Sequence, residues 1–325
     1  HAWGSLSAHW GSRYFYPFII MGGLLALILM RRGLAQYWPE AKGWRYWLGR
    51  SARIDYWLLV ANPLIKLVLF SGMLAWAGSL ANHVSPRAEA TPETAWLWAI
   101  PLTLCLFLSN DFMRWLTHWA MHRVPFMWSF HKVHHAAESM TFATAERHHF
   151  MDVVFVTVPF ILTASLVNAV FILTTGIAAS PIAIYGANII LVVFNAFAGA
   201  MRHGPFFVSF GERIERWLIS PGMHQLHHSR RQVHYDKNFG GALAIWDRMF
   251  GTWEPATEGL DALSDGIGLG PEDDRLLDPL GVFYGPFAEV GGQVVTEIRK
   301  ITEPEGPALE AARTPADQDL ILRGR

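Results

Sequence analysis

Charged side chains are scarce in this chain. Asp, Glu, Lys and Arg make up 16% of its 325 residues, where soluble globular domains carry roughly 25%. The formal net charge is −1, which argues against a nucleic-acid partner, since such binders are clearly basic. Cysteine is nearly absent: Cys105, inside an apolar run, is the single one. An intrachain disulfide, a thiolate metal site and an iron–sulfur cluster are therefore excluded. Any metal must be held by nitrogen and oxygen ligands. No internal repeat and no glycine-rich phosphate loop is present; DRMFGTW at 247–253 contains one glycine.

What the chain has instead is apolar length and aromatic mass. It is 52% hydrophobic, with 15 Trp and 21 Phe, and aromatics gather at membrane interfaces as well as in cores. Residues 14–30 form an uncharged run of 17, at the short end for a spanning helix. Arg31, Arg32, Lys42, Arg45, Arg50 and Arg53 follow, interleaved with Trp and Tyr. No small-residue cleavage signal is seen, so the run reads as a retained anchor and not a signal peptide. A second apolar segment covers 56–80. Pro63 and Lys66 interrupt it, so either the helix is kinked or Lys66 faces protein, because a charge at mid-bilayer costs about 3 kcal/mol.

A third run covers 95–109, and two more, 153–173 and 177–200, read as a hairpin that crosses and returns around Thr174–Gly176. The expectation is an all-α, multi-pass membrane helical bundle of about four to five spans with a cytosolic histidine-rich helical cap. Loop 81–94 is poor in basic residues. Charge bias and span parity therefore place 110–152 and everything from 201 onward on the cytoplasmic side, at the inner membrane in a bacterium. Residues 1–255 read as the membrane domain. Residues 256–325, richer in Glu, Asp, Gly and Pro, read as a soluble tail, partly disordered near its end.

Histidine is concentrated. Of fifteen, seven fall within Asp111–Asp152, and RHG at 202–204 with HQLHH at 224–228 adds four. His118 and His122 are spaced i and i+4, so on a helix both can reach one metal. His131, His134 and His135 form HxxHH, and His224, His227 and His228 repeat it. On a helix i and i+3 lie together, while the adjacent histidine points about 100° away. One HxxHH can thus serve two metals, or one metal and a supporting partner. The i,i+4 pair alone is a weak signal, but two HxxHH copies beside it are poorly explained as surface histidines. Eight motif imidazoles exceed the needs of one tetrahedral ion; two ions with four or five nitrogens each fit the count. Imidazole suits Zn, Cu, Fe and Ni alike. The setting favours iron, because an unactivated hydrocarbon at the end of membrane helices needs redox chemistry that zinc does not supply.

HxxxH, HxxHH and HxxHH in this order resemble the fatty-acid hydroxylase / sterol desaturase superfamily of membrane di-iron oxygenases. Asp111, Trp115, Arg123 and Trp128 flank the motifs in the manner of that superfamily, and Thr144, Arg147 and His149 resemble its T-x-x-R-x-H element. HQLHHSRRQVHYDKNFGGALAIWDRMFGTW resembles its closing element, in the form of the alkylglycerol monooxygenase-like branch. The resemblance covers about 105–255. Trp119, where many members have Arg, and the region after 256 depart from it.

The resemblance implies His118, His122, His131, His134, His135, His224, His227 and His228 as iron ligands, with His203 a ninth. His149 is then either a ligand or a partner behind one, with His148 its bystander. His234 is a ligand, a supporting partner or a surface group. His1, His9 and His83 stand alone and are expected in solvent. Ligating imidazoles need their other nitrogen oriented; Asp111, Glu138, Asp152, Asp236, Asn238 and Asp247 are the candidates, Asp111 foremost.

Two Fe ions, O2 as co-substrate and hydroxylation of a lipid C–H bond follow as implications, the lipid being a sterol, fatty acyl chain, ether lipid, sphingoid base or carotenoid. Desaturation at the same di-iron site is the nearest alternative. No flavin or nicotinamide fingerprint is present, so electrons are expected from a separate redox partner. A ferredoxin or cytochrome b5 type with its reductase fits, docking near Arg230 and Arg231. A haem-binding membrane electron carrier would place single histidines inside the apolar runs, and a zinc hydrolase would show HExxH; the sequence has neither.

Overall fold

The computed structural model describes residues 16–81, 88–91, 93–184 and 187–302. A chain out of water must satisfy its backbone N–H and C=O groups internally, and the apolar runs are accordingly mostly helical. In chain order the helices are α1 (Tyr16–Arg31), α2 (Trp44–Leu48), α3 (Arg50–Ala81), α4 (Ala95–Arg123), α5 (Pro125–His135), α6 (Phe150–Thr175), α7 (Ile189–Phe197), α8 (Glu212–Glu215), α9 (Pro221–His227), α10 (Ile245–Phe250) and α11 (Pro279–Thr302). Among the described residues, α4 and α6 are the helices long and apolar enough to cross a membrane. They pack against each other, and α3 packs on α6. Ile100, Leu104 and Leu108 form an exposed i,i+4 stripe on α4. The helix α3 runs through Pro63. The side chain of Lys66, together with His1, His9 and His83, lies outside the described residues.

The spanning helix expected over 177–200 is not found. This stretch holds β3 (Ile177–Ala178), paired in parallel with β2 (Ala88–Glu89), a ribbon of β4 (Ala183–Ile184) and β5 (Ala187–Asn188), and only then α7. The nine residues of α7 rise about 13 Å, less than half an apolar bilayer core. Three features explain the break, two local and one from a distant helix. Gly176 ends α6 in the left-handed region at φ 74°. The Asn188 side chain caps α7 by accepting from the Ile190 N–H at 3.0 Å. Thr103 of α4 then anchors the irregular strand, its hydroxyl accepting from the Ile182 N–H at 2.7 Å and its carbonyl from Asn188 Nδ2 at 2.9 Å.

Residues 256–302, expected as a separate tail, belong to the packed structure; 303–325 lie outside the described residues. Ala256, Ala262, Leu263 and Ile267 join the core around Trp38, Tyr46, Met223 and Leu226. Leu276 and Val282 pack with Ile54, Leu58, Val133 and Ala136. Glu289 of α11 pairs with Lys132 of α5 and accepts from the Ser129 hydroxyl at 3.1 Å. Four of the tail's buried apolar residues, Ala262, Leu263, Leu276 and Leu277, sit in short 3-10 turns, which leave no helical or strand period in that part of the sequence. The antiparallel ribbon of β1 (Ala35–Tyr37) and β6 (Phe206–Val208) ties the end of α1 to the strand before α9.

One buried ion pair joins these parts. Arg147 is fully enclosed; its guanidinium meets Asp55 at 3.0 Å and donates to the carbonyls of Ser51, Val133, Ala136 and Leu276. It thereby links α3, α5, the loop before α6 and the tail. Removing one partner of such a pair strands the other charge, at about 3–5 kcal/mol. Asp55→Asn is expected to lower stability by that order, read as a drop in the thermal midpoint of the purified protein; an unchanged midpoint would contradict this role.

Candidate metal centre

The structure brings nine histidines into two adjacent groups. His118, His122, His131, His135 and His227 form one; His134, His203, His224 and His228 form the other. Within each group the candidate ligand atoms all lie within 4.8 Å of one another. The groups touch through His135 and His228, whose rings stack at 4.4 Å. Each HxxHH is divided in a reciprocal way. In α5 the i and i+4 residues, His131 and His135, join the first group and His134 the second. In and just after α9 the i and i+4 residues, His224 and His228, join the second group and His227 the first. The expectation that i and i+3 lie together is thus corrected: four residues of helix turn about 400°, leaving i+4 some 40° from i, whereas i+3 is about 60° away on the other side.

Hydrogen bonds behind the rings fix which nitrogen faces inward. Nδ1 of His118 meets the Phe239 carbonyl at 2.9 Å, that of His134 the Arg147 carbonyl at 3.1 Å, and that of His227 the Lys237 carbonyl at 2.7 Å. Nδ1 of His131 meets the Asp152 carboxylate at 3.0 Å. Their Nε2 atoms are thereby turned toward the centre. Within the groups, ring nitrogens of His122 and His135 approach to 3.1 Å in the first, and those of His203 and His224 to 2.9 Å in the second. The buried Nε2 atoms of His131 and His227 and both nitrogens of His228 have no hydrogen-bond partner. A buried polar atom left so costs about 1–3 kcal/mol, and several converging on one spot suit metal ions as their partners. The donors are imidazoles throughout, as a nitrogen-binding transition metal requires.

Burial, and after it the charge that neighbouring imidazoles would carry, pushes His134, His135, His224 and His228 well below the ordinary histidine range. Burial lowers His227 to about 3 against its carbonyl partner. The neutral form, which is the ligating one, is thus held at any physiological pH.

The remaining candidates fall in different places. Asp152 backs His131 and lies 3.5 Å from Nδ1 of His148. His148, expected as a bystander, stacks on His134 at 4.4 Å. Asp111 orients no imidazole; its carboxylate accepts from the Ala242 and Leu243 N–H groups and Trp246 Nε1. Asp247 accepts from the Phe239 and Gly240 N–H groups and Trp115 Nε1, so it reaches His118 only through the Phe239 backbone. Asn238, at φ 57°, binds the Met223 and Glu254 carbonyls. Asp236 pairs with Arg123 at 3.3 Å and stands 3.8 Å from His122 Nδ1. His149 caps α6, accepting from the Met151 N–H, and its Nε2 meets the Phe283 carbonyl; it stands outside both groups. His234 is buried apart from them. Glu138 meets Arg230, while Glu258 and Asp265 meet Arg231, so the surface expected to be basic is charge-compensated. Sequence reasoning missed the three backbone carbonyls; their one trace is the glycine pair. A Cβ at Gly240 would sit 2.6 Å from the Leu243 carbonyl oxygen, and one at Gly241 2.7 Å from the Asp111 carboxylate.

Two outcomes test this geometry. Partners behind metal-binding histidines are worth about 10–100-fold in affinity, so Asp152→Asn is expected to lose metal that the parent retains through dialysis against a chelator, read by metal analysis. Equal retention would remove Asp152 from that role. The metal-free protein should also lose stability as pH falls below 6.5 toward 3, because the unfolded chain takes up protons that His227 and its neighbours refuse when folded. Each such histidine contributes up to about 1.4 kcal/mol per pH unit. A flat unfolding profile between pH 7.5 and 5.5 (about one unit either side of the free imidazole value) would contradict it.

The profile for "Fatty acid hydroxylase" matches residues 103–252, which carry both histidine groups. Human alkylglycerol monooxygenase is 29% identical over 169 residues, covering 51% of this chain and 32% of that protein. The Xenopus tropicalis alkylglycerol monooxygenase is 29% identical over 216 residues, covering 65% and 44%. The ornithine lipid hydroxylase OlsE of Rhizobium tropici is 26% identical over 164 residues, covering 49% and 43%. The chain thus spans a third to under a half of the length of these relatives. No solved structure matches it. Residues 103–252 are thus a fatty acid hydroxylase family region, similar to the alkylglycerol monooxygenase-like branch.

Proposed function

We propose that this chain is an O2-dependent lipid hydroxylase of the membrane. In this reading His118, His122, His131, His135 and His227 hold one iron ion and His134, His203, His224 and His228 a second. The observation that carries it is the buried set of five and four imidazoles, with the outer nitrogens of four of them held by oxygen acceptors. Bound iron would supply the reduction of O2 and the transfer of one oxygen atom to a C–H bond: R–H, O2, two electrons and two protons yield R–OH and water. The protein's own part is to keep the imidazoles neutral and aimed, and to hold the site at the end of α4 and the start of α6. The electrons come from a separate donor of ferredoxin or cytochrome b5 type.

The substrate is a membrane lipid. Relatives named for alkylglycerol and for ornithine lipid favour one with a polar head group. The chain is multi-pass, with both histidine groups facing the cytoplasm. Arg31 and the following β1 support that side, since the β1–β6 ribbon lies at the same end as α9, and positive residues favour the cytoplasmic face.

Metal analysis and Mössbauer spectroscopy on protein made anaerobically should find two irons per chain. In the parent, label from ¹⁸O2 should appear in the lipid product, and His134→Ala should abolish it. Less than one iron per chain, with stoichiometric zinc sustaining activity, would sink the di-iron reading. Label persisting in His134→Ala would remove His134 from the ligand set.

A further inference from the structure

The short helices α8 and α10 carry a surface that the metal centre does not use. Ile214, Trp217, Met249 and Phe250 are 50–68% exposed there. They form one patch, because the Arg248 guanidinium lies 5.6 Å over the Trp217 ring and donates to the Arg216 carbonyl at 3.2 Å. A contiguous apolar patch of this kind, rimmed by polar groups, marks an interaction site.

Two observations identify the occupant. The first is continuity with α4. Phe250 stacks on Trp115 at 4.4 Å and on Phe112 at 6.4 Å, and Phe112 follows Leu108 by one turn on the stripe of Ile100, Leu104 and Leu108. The patch therefore continues the lipid-facing side of α4 past the end of its apolar run. The second is charge. Arg114, Arg213, Arg216 and Arg248 are exposed around it. On α8 and α10 the one exposed acid is Glu212, which is ion-paired with Arg216 at 2.6 Å, while Glu215 and Asp247 are buried. Trp beside Arg at a polar–apolar boundary is the composition of the membrane interface, where arginine stems lie along apolar surface and the heads reach phosphates.

We infer that the α8–α10 surface is embedded in the head-group layer of an anionic lipid bilayer, as an interfacial anchor beside α4. It rests on the membrane reading of α4 and not on the identity of the metal. Trp115 is three residues before His118, a rise of about 4.5 Å. The anchor therefore holds the histidine groups just above the lipid head groups, so that a lipid need rise only a short way to reach them.

The test uses the full chain with Cys105→Ala, spin-labelled at Met249→Cys or Trp217→Cys, in nanodiscs of phosphatidylcholine with phosphatidylglycerol. Power saturation compares access of O2, which partitions into lipid, with that of a nickel chelate, which stays in water. Labels at 249 and 217 should be more accessible to O2 than to the chelate, whereas Val233→Cys, on an exposed loop, should show the reverse. A label at 249 that behaves like the one at 233 overturns the proposal. So does one shielded from both reagents, which would mean that a protein surface, a second copy or a redox partner, covers the patch. Loss of iron would leave these readings unchanged, so this test and that of the hydroxylase reading fail separately.

Discussion

A buried neutral imidazole has two nitrogens and a single proton, and both nitrogens need partners. Everything around the two histidine groups follows from that constraint. Four Nδ1 atoms are met by oxygen acceptors, and three of these are backbone carbonyls. A carbonyl can be aimed only by holding the backbone that bears it. The loop carrying Lys237 and Phe239 is accordingly pinned by Asp247, which takes two of its N–H groups, and by Asp111, which takes two more just beyond. The carbonyl of Arg147 is aimed by the enclosed guanidinium of the same residue against Asp55. Carboxylates that look like direct partners of the imidazoles thus act mostly one step further out, on main chain.

The same logic explains why the C-terminal segment belongs to the domain. Imidazoles held in fixed positions need the helix that bears them to be fixed as well, so packing, ion pairs and hydrogen bonds must hold α5. The helix α5, which supplies three of the nine histidines, is clamped by such contacts from the tail: Lys132 to Asp273 and Glu289, and Ser129 to Glu289 and Gln293. Arg147 reaches the Leu276 carbonyl and His149 that of Phe283. Residues beyond the family's matched region therefore help to hold this histidine-bearing helix.

Several of these features were readable before any fold was known, and others were not. The helices α4 and α6 follow from long uncharged runs, whose backbone has no alternative in an apolar medium. The run at 177–200 has the same composition but breaks, because Asn188 caps the chain late and Thr103, distant in sequence, captures its backbone. Nothing within 177–200 records that capture. Asp111 drew notice by its spacing from His118, yet its acceptors face Ala242, Leu243 and Trp246, more than 130 positions away in sequence. His148 looked incidental beside His149, but the turn into α6 puts it against His134 and sends His149 to the helix cap.

The amino-acid sequence by itself determined the chemistry the site can offer: one cysteine, fifteen histidines and three spaced motifs leave imidazole nitrogen as the candidate donor, since residue type and helical periodicity are local properties. The division into groups of five and four was decided only in three dimensions. So were the placing of His203 with His134, the role of backbone carbonyls and the inclusion of residues 256–302. Each of these depends on which distant segments meet, and contacts between chain positions far apart leave no period or motif in either partner.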